Sequence, residues 1–418
     1  MLINQLIVVL SLFVVSKADE DIIQKYNRSS HELINYFVKG KGTGLAYEWL
    51  STLVDKFGSR HLGSESLDRA IDYVVKGLKK DGFDNVHTEE VPDLPKWVRG
   101  DDLVQMIKPR LQKFNALAID GCPPANITAE AVVVKHYDEL KHINVTGKIV
   151  VFDQKWKGYG KTVKYRRSAK IVEEHGGVGV LVKSITPFSP ALPHTGSGAR
   201  GSKIPALTIT LEEADMLYRM QKRGEKIIIN LDIKSHPDGN VSSRNILFEI
   251  KGSEMPSEVV LLSGHMDTWD VGQGALDDGG GCAVMWSVLY ALKQLSKRNS
   301  IFAPKRTIRV AFWTAEEQGL LGARYYYETH KNDTNEHFVP TQRPTAVESS
   351  LEGDIQPWTD EGIPSVNYLP DQGRSYYFQY HHTDADYMSI FKEGDLEYTG
   401  AIFGVIAHVM ANLAHLAE

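Results

Sequence analysis

The chain is predicted to be an α/β protein built on an open, mixed sheet, with a smaller α/β or β-rich module inserted into it. Three observations predict this. After residue 243, short apolar runs alternate with amphipathic helical stretches, as in a sheet wrapped by helices. From residue 118 to about 235, several short β runs surround a loop rich in Pro and Gly. Acidic clusters follow successive strands, at the carboxyl edge where open α/β sheets place their sites.

The elements follow in chain order. Leu6 to Val15 is apolar but for Ser11, too short to cross a bilayer that needs about 20 residues. Ser16-Lys17-Ala18 then gives a small-x-small cleavage pattern, so residues 1–18 read as a secretory signal peptide, although no Lys or Arg precedes the apolar run. The mature chain is expected to start near Asp19 and to be secreted or lysosomal. Sequons at Asn27, Asn126, Asn144, Asn240 and Asn332 agree with that route. No other apolar run has membrane length, so no membrane span is expected. Two cysteines, Cys122 and Cys282, are too few for a disulfide framework, and Cys282 lies in an apolar helical pattern that reads as a buried free thiol.

Residues 19–117 form the first part of the main domain, with room for a propeptide at its start. Leu67, Ile71, Val74, Val75 and Leu78 recur at helical spacing, and Val86 to Val91 reads as a strand. In the 118–235 segment, β runs at Ala131–Val134, Lys148–Phe152, Gly176–Lys183 and Ile204–Ile209 alternate with helices at Ser168–Glu174 and Leu211–Arg223. The basic run from Lys161 to Lys170 (KTVKYRRSAK) reads as a solvated helix face, with a contact to a substrate carboxylate as the alternative. Residues 236–418 complete the main domain. Asn245–Ile250, Val259–Leu262 and Thr307–Trp313 are strands; helices are expected from Gly281, over Gly319–Thr329 and from about Gly400 to Leu416.

Composition narrows the function. Of the 418 residues, 42% are hydrophobic and 24% charged, ordinary for a globular chain. A net charge of −6 gives no electrostatic footprint for nucleic acid. The negative charge concentrates in GHMDTWDVGQGALDDGGG, from Gly264 to Gly281. His265 and Asp267 follow one strand, Asp277 and Asp278 open the next helix, and Glu316 and Glu317 follow the next strand. Taken singly, an Asp-Asp pair reads as a helix cap and a Glu-Glu pair as a solvated turn. Together at one edge, they are costly unless cations neutralise them, and His, Asp and Glu are the ligand set of zinc. His381-His382-Thr383 before Asp384 and Asp386 adds a further ligand candidate with a supporting carboxylate.

GHMDTWDVGQGALDDGGG, WTAEEQG and HHTDAD together resemble the M28 family of di-zinc exopeptidases, from about residue 20 to the C-terminus. The 118–235 segment resembles the protease-associated domain inserted in such enzymes. The resemblance implies a zinc exopeptidase that cleaves dipeptides or short peptides, with two zinc ions per chain and a homodimer as the assembly. It implies that His265 binds one zinc, Asp277 bridges both, and Glu317 and His382 hold the other. Asp267 would fix the tautomer of His265, and Glu316 would be the general base that deprotonates the attacking water. The family's remaining ligand, an aspartate between the Glu-Glu turn and the final histidine, has no clear counterpart. In AVESSLEGDIQPW a serine of Glu348-Ser349-Ser350 stands where that aspartate is expected, and the interval from Glu317 to His382 is short. Three explanations stand open: a mis-spliced gene model, an inactive isoform, or a substitute ligand among Glu348, Glu352 and Asp354. Besides the exopeptidase, a non-catalytic binding relative and a single-zinc glutaminyl cyclase are the competing functions.

Overall fold

The computed structural model describes residues 17–333, 337–338, 353–363, 365 and 373–413. Its helices are α1 (Lys17–Val38), α2 (Leu45–Phe57), α3 (Glu65–Asp81), α4 (Tyr159–Thr162), α5 (Ser168–Glu174), α6 (Leu211–Lys222), α7 (Gly280–Ser296), α8 (Leu321–His330), α9 (Gln356–Asp360), α10 (Gly373–Tyr380) and α11 (Asp395–Asn412). Its strands are β1 (Asp84–Val98), β2 (Leu103–Lys108), β3 (Gln112–Lys113), β4 (Ala116–Ala118), β5 (Ala125–Val134), β6 (Ile149–Phe152), β7 (Gly179–Lys183), β8 (Ala206–Ile209), β9 (Ile228–Ile233), β10 (His236–Ile250), β11 (Met255–His265), β12 (Arg306–Trp313) and β13 (His337–Phe338).

The strands form two sheets. The first has the order β1-β10-β12-β11-β13, antiparallel up to β12 and parallel from β12 to β13. Alternate residues of its strands face opposite ways, as pleating requires. Ile246, Phe248, Ile308, Val310 and Phe312 pack on Leu50, Ile71, Leu289 and the rest of the helices α1, α2, α3, α7 and α11. Leu247, Ala311 and Trp313 pack on the other side against Tyr326 of α8 and Trp358 of α9. Helices therefore cover both faces. β12, carrying RTIRVAFW, is buried at every residue, which explains its unbroken apolar character despite two arginines. One of these, Arg309, is neutralised by Glu249 of β10 at 2.7 Å.

The second sheet has the order β3-β2-β9-β5-β6-β7-β8-β4, with β5 to β8 parallel. Its core joins Val150, Phe152, Leu181, Leu207 and Leu217. It draws strands from both sides of residue 118, since β2 and β3 precede that point. Several elements run longer than the sequence predicts: β1 reaches Val98 rather than Val91, β5 starts at Ala125 rather than Ala131, β10 at His236 rather than Asn245, β11 at Met255 rather than Val259, and α11 at Asp395 rather than Gly400. In each case the added residues are polar or mixed and carry little periodicity. Cys122 and Cys282 are both buried free thiols.

One residue departs from the solvated face expected over Lys161 to Lys170: Lys161, Lys164, Arg167 and Lys170 are exposed, but Arg166 is not. A 3₁₀ turn, Val163–Arg167, joins α4 to α5 and turns Tyr165 and Arg166 inward, leaving Arg166 only 1% exposed. Exposure recurs at every third residue, from Lys161 through Lys164 and Arg167 to Lys170, and Arg166 falls between two exposed positions.

Candidate metal centre

The parallel pairing of β11 with β12 sets His265 beside Trp313, so the loops after both strands leave from the same edge. His265 ends β11 with its Nε2 3.3 Å from Asp277 Oδ1 and 3.8 Å from Glu316 Oε2. Its Nδ1 lies 2.9 Å from the carbonyl oxygen of Asp267, and the carboxylate of Asp267 stands 3.8 Å away. The carbonyl oxygen of Asp267, rather than its carboxylate, is therefore the partner of this ring nitrogen. That carboxylate instead accepts the N–H groups of Glu316 at 3.1 Å and Glu317 at 3.3 Å. It pins the turn after β12, where Ala315 takes a left-handed φ of 55°. As a result, adjacent glutamates diverge, Glu316 toward His265 and Glu317 toward His382.

Asp277 and Asp278 divide the two roles that an Asp-Asp pair can play. Asp278 accepts from the N–H of Gly281 in the first turn of α7 and from the N–H of His265. Asp277 points into the centre, its Oδ2 3.1 Å from His382 Nε2. The backbone before it turns at Gly274, with φ 59°, where a Cβ would lie 2.1 Å from a Thr268 methyl group. Asp386 then holds the segment by accepting from the N–H groups of Leu276 at 2.6 Å and Asp277 at 3.1 Å. The carboxylate expected to support His382 therefore supports Asp277.

His382 itself follows α10 and places Nε2 3.0 Å from Glu317 Oε2. Its Nδ1–H donates to the carbonyl oxygen of Thr195 at 3.1 Å, and the Thr195 N–H donates back to the His382 carbonyl at 3.0 Å. A residue from the loop between β7 and β8 thus orients this ring. Sequence reasoning missed Thr195, and also Arg60, which is fully buried. Arg60 donates to the carbonyls of Met266, Gln273 and Gly274, bracing the whole loop from Met266 to Gly274. Tyr377 of α10 lies near the centre, and burial with the charges of Asp277 and Glu317 pushes its hydroxyl well above its ordinary range. The Pro- and Gly-rich composition of 187–201 was a signal for a functional loop; nothing local marked Arg60 or Tyr377.

The electrostatics describe a centre short of positive charge. Burial alone would push His265 and His382 down. The carboxylates of Glu316, Asp277, Asp278 and Asp267 instead hold His265 well above its ordinary range, and Glu317 with Asp277 takes His382 to about 10. Burial raises Glu316 well above the usual carboxylate range and also raises Glu317. Asp277 is held far down despite its burial, because both imidazoles donate to it. Carboxyls forced up and imidazoles held charged are what cations at these positions would relieve.

The residues fit a metal. One ligand atom from each of Asp277, Glu317 and His382 lies within 4.8 Å of the other two. Glu317 Oε1 is sealed from solvent and has no hydrogen-bond partner. Nitrogen and oxygen donors in this number are those of a zinc site. Around His265, Asp277 is the carboxylate within hydrogen-bond range among the described residues. Of the three substitutes considered for the missing aspartate, Glu348 and Glu352 lie outside the described residues. Asp354 is described: burial and the charges of Asp267, Asp278 and Glu317 push its carboxyl up to about 8, and its sealed Oδ1 has no partner. It precedes α9, whose Trp358 stacks on Trp313 at 5.7 Å, beside the end of β11.

Comparison with known proteins agrees with this geometry. Residues 245–342 match the model of peptidase family M28. Carboxypeptidase Q of Mus musculus is 38% identical over 94% of this chain and 91% of its own length. Carboxypeptidase Q of Homo sapiens is 36% identical over 92% of this chain and 89% of its own. The crystal structure of a peptidase M28 precursor from Shewanella amazonensis SB2B superposes with a TM-score of 0.84 at 28% identity, covering 94% of this chain and 98% of that one. A zinc aminopeptidase from Bacillus subtilis shares the fold, with a TM-score of 0.60 at 18% identity over 88% of this chain and 93% of its own. The chain therefore belongs to peptidase family M28, a family of metallo-exopeptidases.

Proposed function

We propose that the chain is a secreted or lysosomal zinc exopeptidase, of carboxypeptidase or dipeptidase type, that hydrolyses dipeptides or short peptides. The convergence of Asp277, Glu317 and His382, with one Glu317 oxygen lacking any partner, carries this reading. Asp277, Glu317 and His382 would hold one zinc, and His265 with Asp277 the other. Zinc, when bound, would acidify the attacking water and polarise the scissile carbonyl. Glu316 takes the proton from that water and delivers it to the leaving amine. Its high pKa keeps it competent to hold a proton between those two transfers. Asp267 keeps Glu316 in place through the backbone of the turn.

The protease-associated-like module is assigned to 118–235 together with the strands β2, β3 and β4 that share its sheet, and the main domain to the residues before Leu103 and to 236–418. Secretion is supported by the signal-like leader and by the exposure of all five sequon asparagines. Among the described residues no helix is long and apolar enough to cross a membrane. With two protein ligands, the His265 position falls short of the three a catalytic zinc ordinarily has. This chain is therefore proposed to bind fewer than two zinc ions and to turn over slowly, as an inactive or truncated form of the family would. The test is Glu316→Gln, measured for both zinc content and amino-acid release from dipeptides. It should keep its zinc and lose about a hundredfold or more of the hydrolysis rate. Near-normal turnover would remove Glu316 from the mechanism. One zinc per chain with cyclisation of N-terminal glutamine would favour the cyclase, and no turnover by the unmodified chain a binding role.

A further inference from the structure

Between Lys155 and Lys170 the chain carries seven Lys or Arg residues and no Asp or Glu, in a protein whose net charge is −6. One of the seven, Arg166, is buried. The other six, Lys155, Lys157, Lys161, Lys164, Arg167 and Lys170, are exposed. Among the described residues none of the six forms an ion pair with a carboxylate. Protein surfaces ordinarily intersperse the two signs of charge. A surface of one sign repels itself and raises the local concentration of whatever anion can neutralise it.

The cations are arranged in single file. Lys161, Lys164, Arg167 and Lys170 recur every three residues through α4, the 3₁₀ turn and α5. A 3₁₀ turn places residues i and i+3 on one line, and its rise sets successive charges about 6 Å apart along the axis. The backbone beneath is fixed. Tyr165, Ala169 and Val172 belong to the core of the second sheet, and the Tyr137 hydroxyl donates to the Lys164 carbonyl at 2.8 Å. The Lys164 ammonium rests 5.8 and 5.7 Å from the ring centres of Tyr137 and Tyr165. The acids beside Tyr165 are already engaged. Asp138 pairs with Lys141 at 2.9 Å, and Glu139 accepts from the N–H groups of Lys135 and His136 at 2.7 and 2.9 Å. Glu173 and Glu174 lie beyond Lys170 and end the ridge, and Glu173 accepts from the N–H of Lys203 at 3.1 Å. Between Lys161 and Lys170 no apolar side chain is exposed.

We propose that this ridge binds a linear sulfated polysaccharide of the glycosaminoglycan type. Such a polymer carries fixed anions in a row along one chain, which is the charge pattern that a single file of cations complements. Charge-assisted hydrogen bonds from Lys and Arg to sulfate oxygens supply the contacts. A bilayer surface fits less well, because amphipathic helices that lie on membranes place apolar side chains beside their basic ones. The ridge stands on the inserted module and uses no residue of the metal centre. It would therefore fix where the protein is held without altering its chemistry, and the proposed secretory route would bring it to such polymers.

The test measures the affinity of the full chain for heparin over a series of salt concentrations. One variant combines Lys161→Ala, Lys164→Ala, Arg167→Ala and Lys170→Ala. A control variant removes the same charge elsewhere, from the exposed Lys76, Lys79, Lys80 and Lys297. The unmodified chain should bind, with an affinity that falls steeply as salt rises, because bound counterions are released. The ridge variant should bind about tenfold or more weakly at about 0.1 M salt, with a plot of log affinity against log salt that is flatter by about three to four. The control should stay close to the unmodified chain, and zinc content should be unchanged in both. The pairs Lys161 with Lys164 and Arg167 with Lys170, replaced separately, should each remove about half of the slope change, which decides the matter if the fourfold variant does not fold. No heparin binding by the unmodified chain, or equal losses in the ridge and control variants, overturns the proposal. So does ridge-dependent binding to phosphatidylserine vesicles or duplex DNA that is as tight as binding to heparin.

Discussion

Replacing Asp277 with asparagine should empty both metal positions, whereas removing His265 should empty mainly one. Asp277 reaches His265 with one oxygen, at 3.3 Å, and His382 with the other, at 3.1 Å. Any ion between Asp277 and either histidine loses its shared anion in the variant, and the side chain keeps its shape. At an effective dielectric of about 20, one unit charge at about 4 Å is worth about 4 kcal/mol. The asparagine carbonyl still offers a dipole, so a net loss of roughly a hundredfold or more in affinity at each position is expected. The assay is zinc per chain by mass spectrometry after dialysis against a series of buffered free zinc concentrations, with His265→Ala beside it. Asp277→Asn should lower uptake at the Glu317 and His382 position as well as the partial uptake at His265, and His265→Ala only the latter. Equal and small losses in the two variants would refute the shared bridge.

The zinc-free protein should lose thermal stability as pH rises from about 6 toward 10. His382 rises on folding from 6.5 to about 10, so its stabilisation is complete below the first value and lost toward the second. Burial-raised Asp386, at about 7, and Asp278, at about 6, act in the same direction at lower pH, because ionising them in the fold is unfavourable. Zinc displaces those imidazole protons, so the rise in melting temperature on adding zinc should grow with pH; an apo midpoint that stays flat or climbs between pH 6 and 9 contradicts this. Asp354→Asn should weaken the partial zinc uptake at the His265 position and leave the Glu317 and His382 position intact; zinc uptake equal to that of the unmodified chain would rule Asp354 out as a substitute ligand and make Glu348 the next to test. The secreted product should start near Asp19 and shift in mass on glycosidase treatment, and an unglycosylated cytosolic product starting at Met1 would contradict the compartment.

What the sequence reveals of this molecule depends on how far apart the interacting residues lie. β11, β12 and α7 are readable because their apolar residues recur locally, at the periods of strand and helix. The Asp277-Asp278 and Glu316-Glu317 pairs are readable because each sits next to the strand that delivers it. The division of labour inside each pair is not readable. It depends on Asp267 reaching the N–H groups of Glu316 and Glu317, across 49 and 50 residues. Thr195 and His382 lie 187 residues apart, and a backbone carbonyl as partner leaves no chemical trace in the side chain. Arg60 braces its loop across more than 200 residues, yet in FGSRHLGS it looks like any surface arginine. Arg166 misleads for a different reason. Four basic neighbours around it suggest a wet face, and the turn that breaks the helical axis, burying Arg166 and exposing Arg167, has no strong sequence mark.

These long-range contacts join the second sheet to the metal centre through more than one route. Arg99 forms a two-pronged ion pair with Asp270, at 2.7 and 2.8 Å, in the same loop that carries Asp267 and Asp277. The same guanidinium donates to the Ala118 carbonyl and to the Thr195 hydroxyl. Ser189 donates to the carbonyl of Gln379, just before His381. The loop from β7 to β8 is thereby tied to both halves of the centre, the Asp277 side through Arg99 and the His382 side through Thr195. A chain stripped of residues 118–235 would keep every carboxylate that gathers at the edge of the first sheet. It would lose the carbonyl that fixes the His382 tautomer, and an imidazole free to turn is a weaker and less selective ligand. The loop between β7 and β8 would therefore be part of what makes the charged edge of the first sheet able to hold a metal, because it supplies the orientation of the His382 ring.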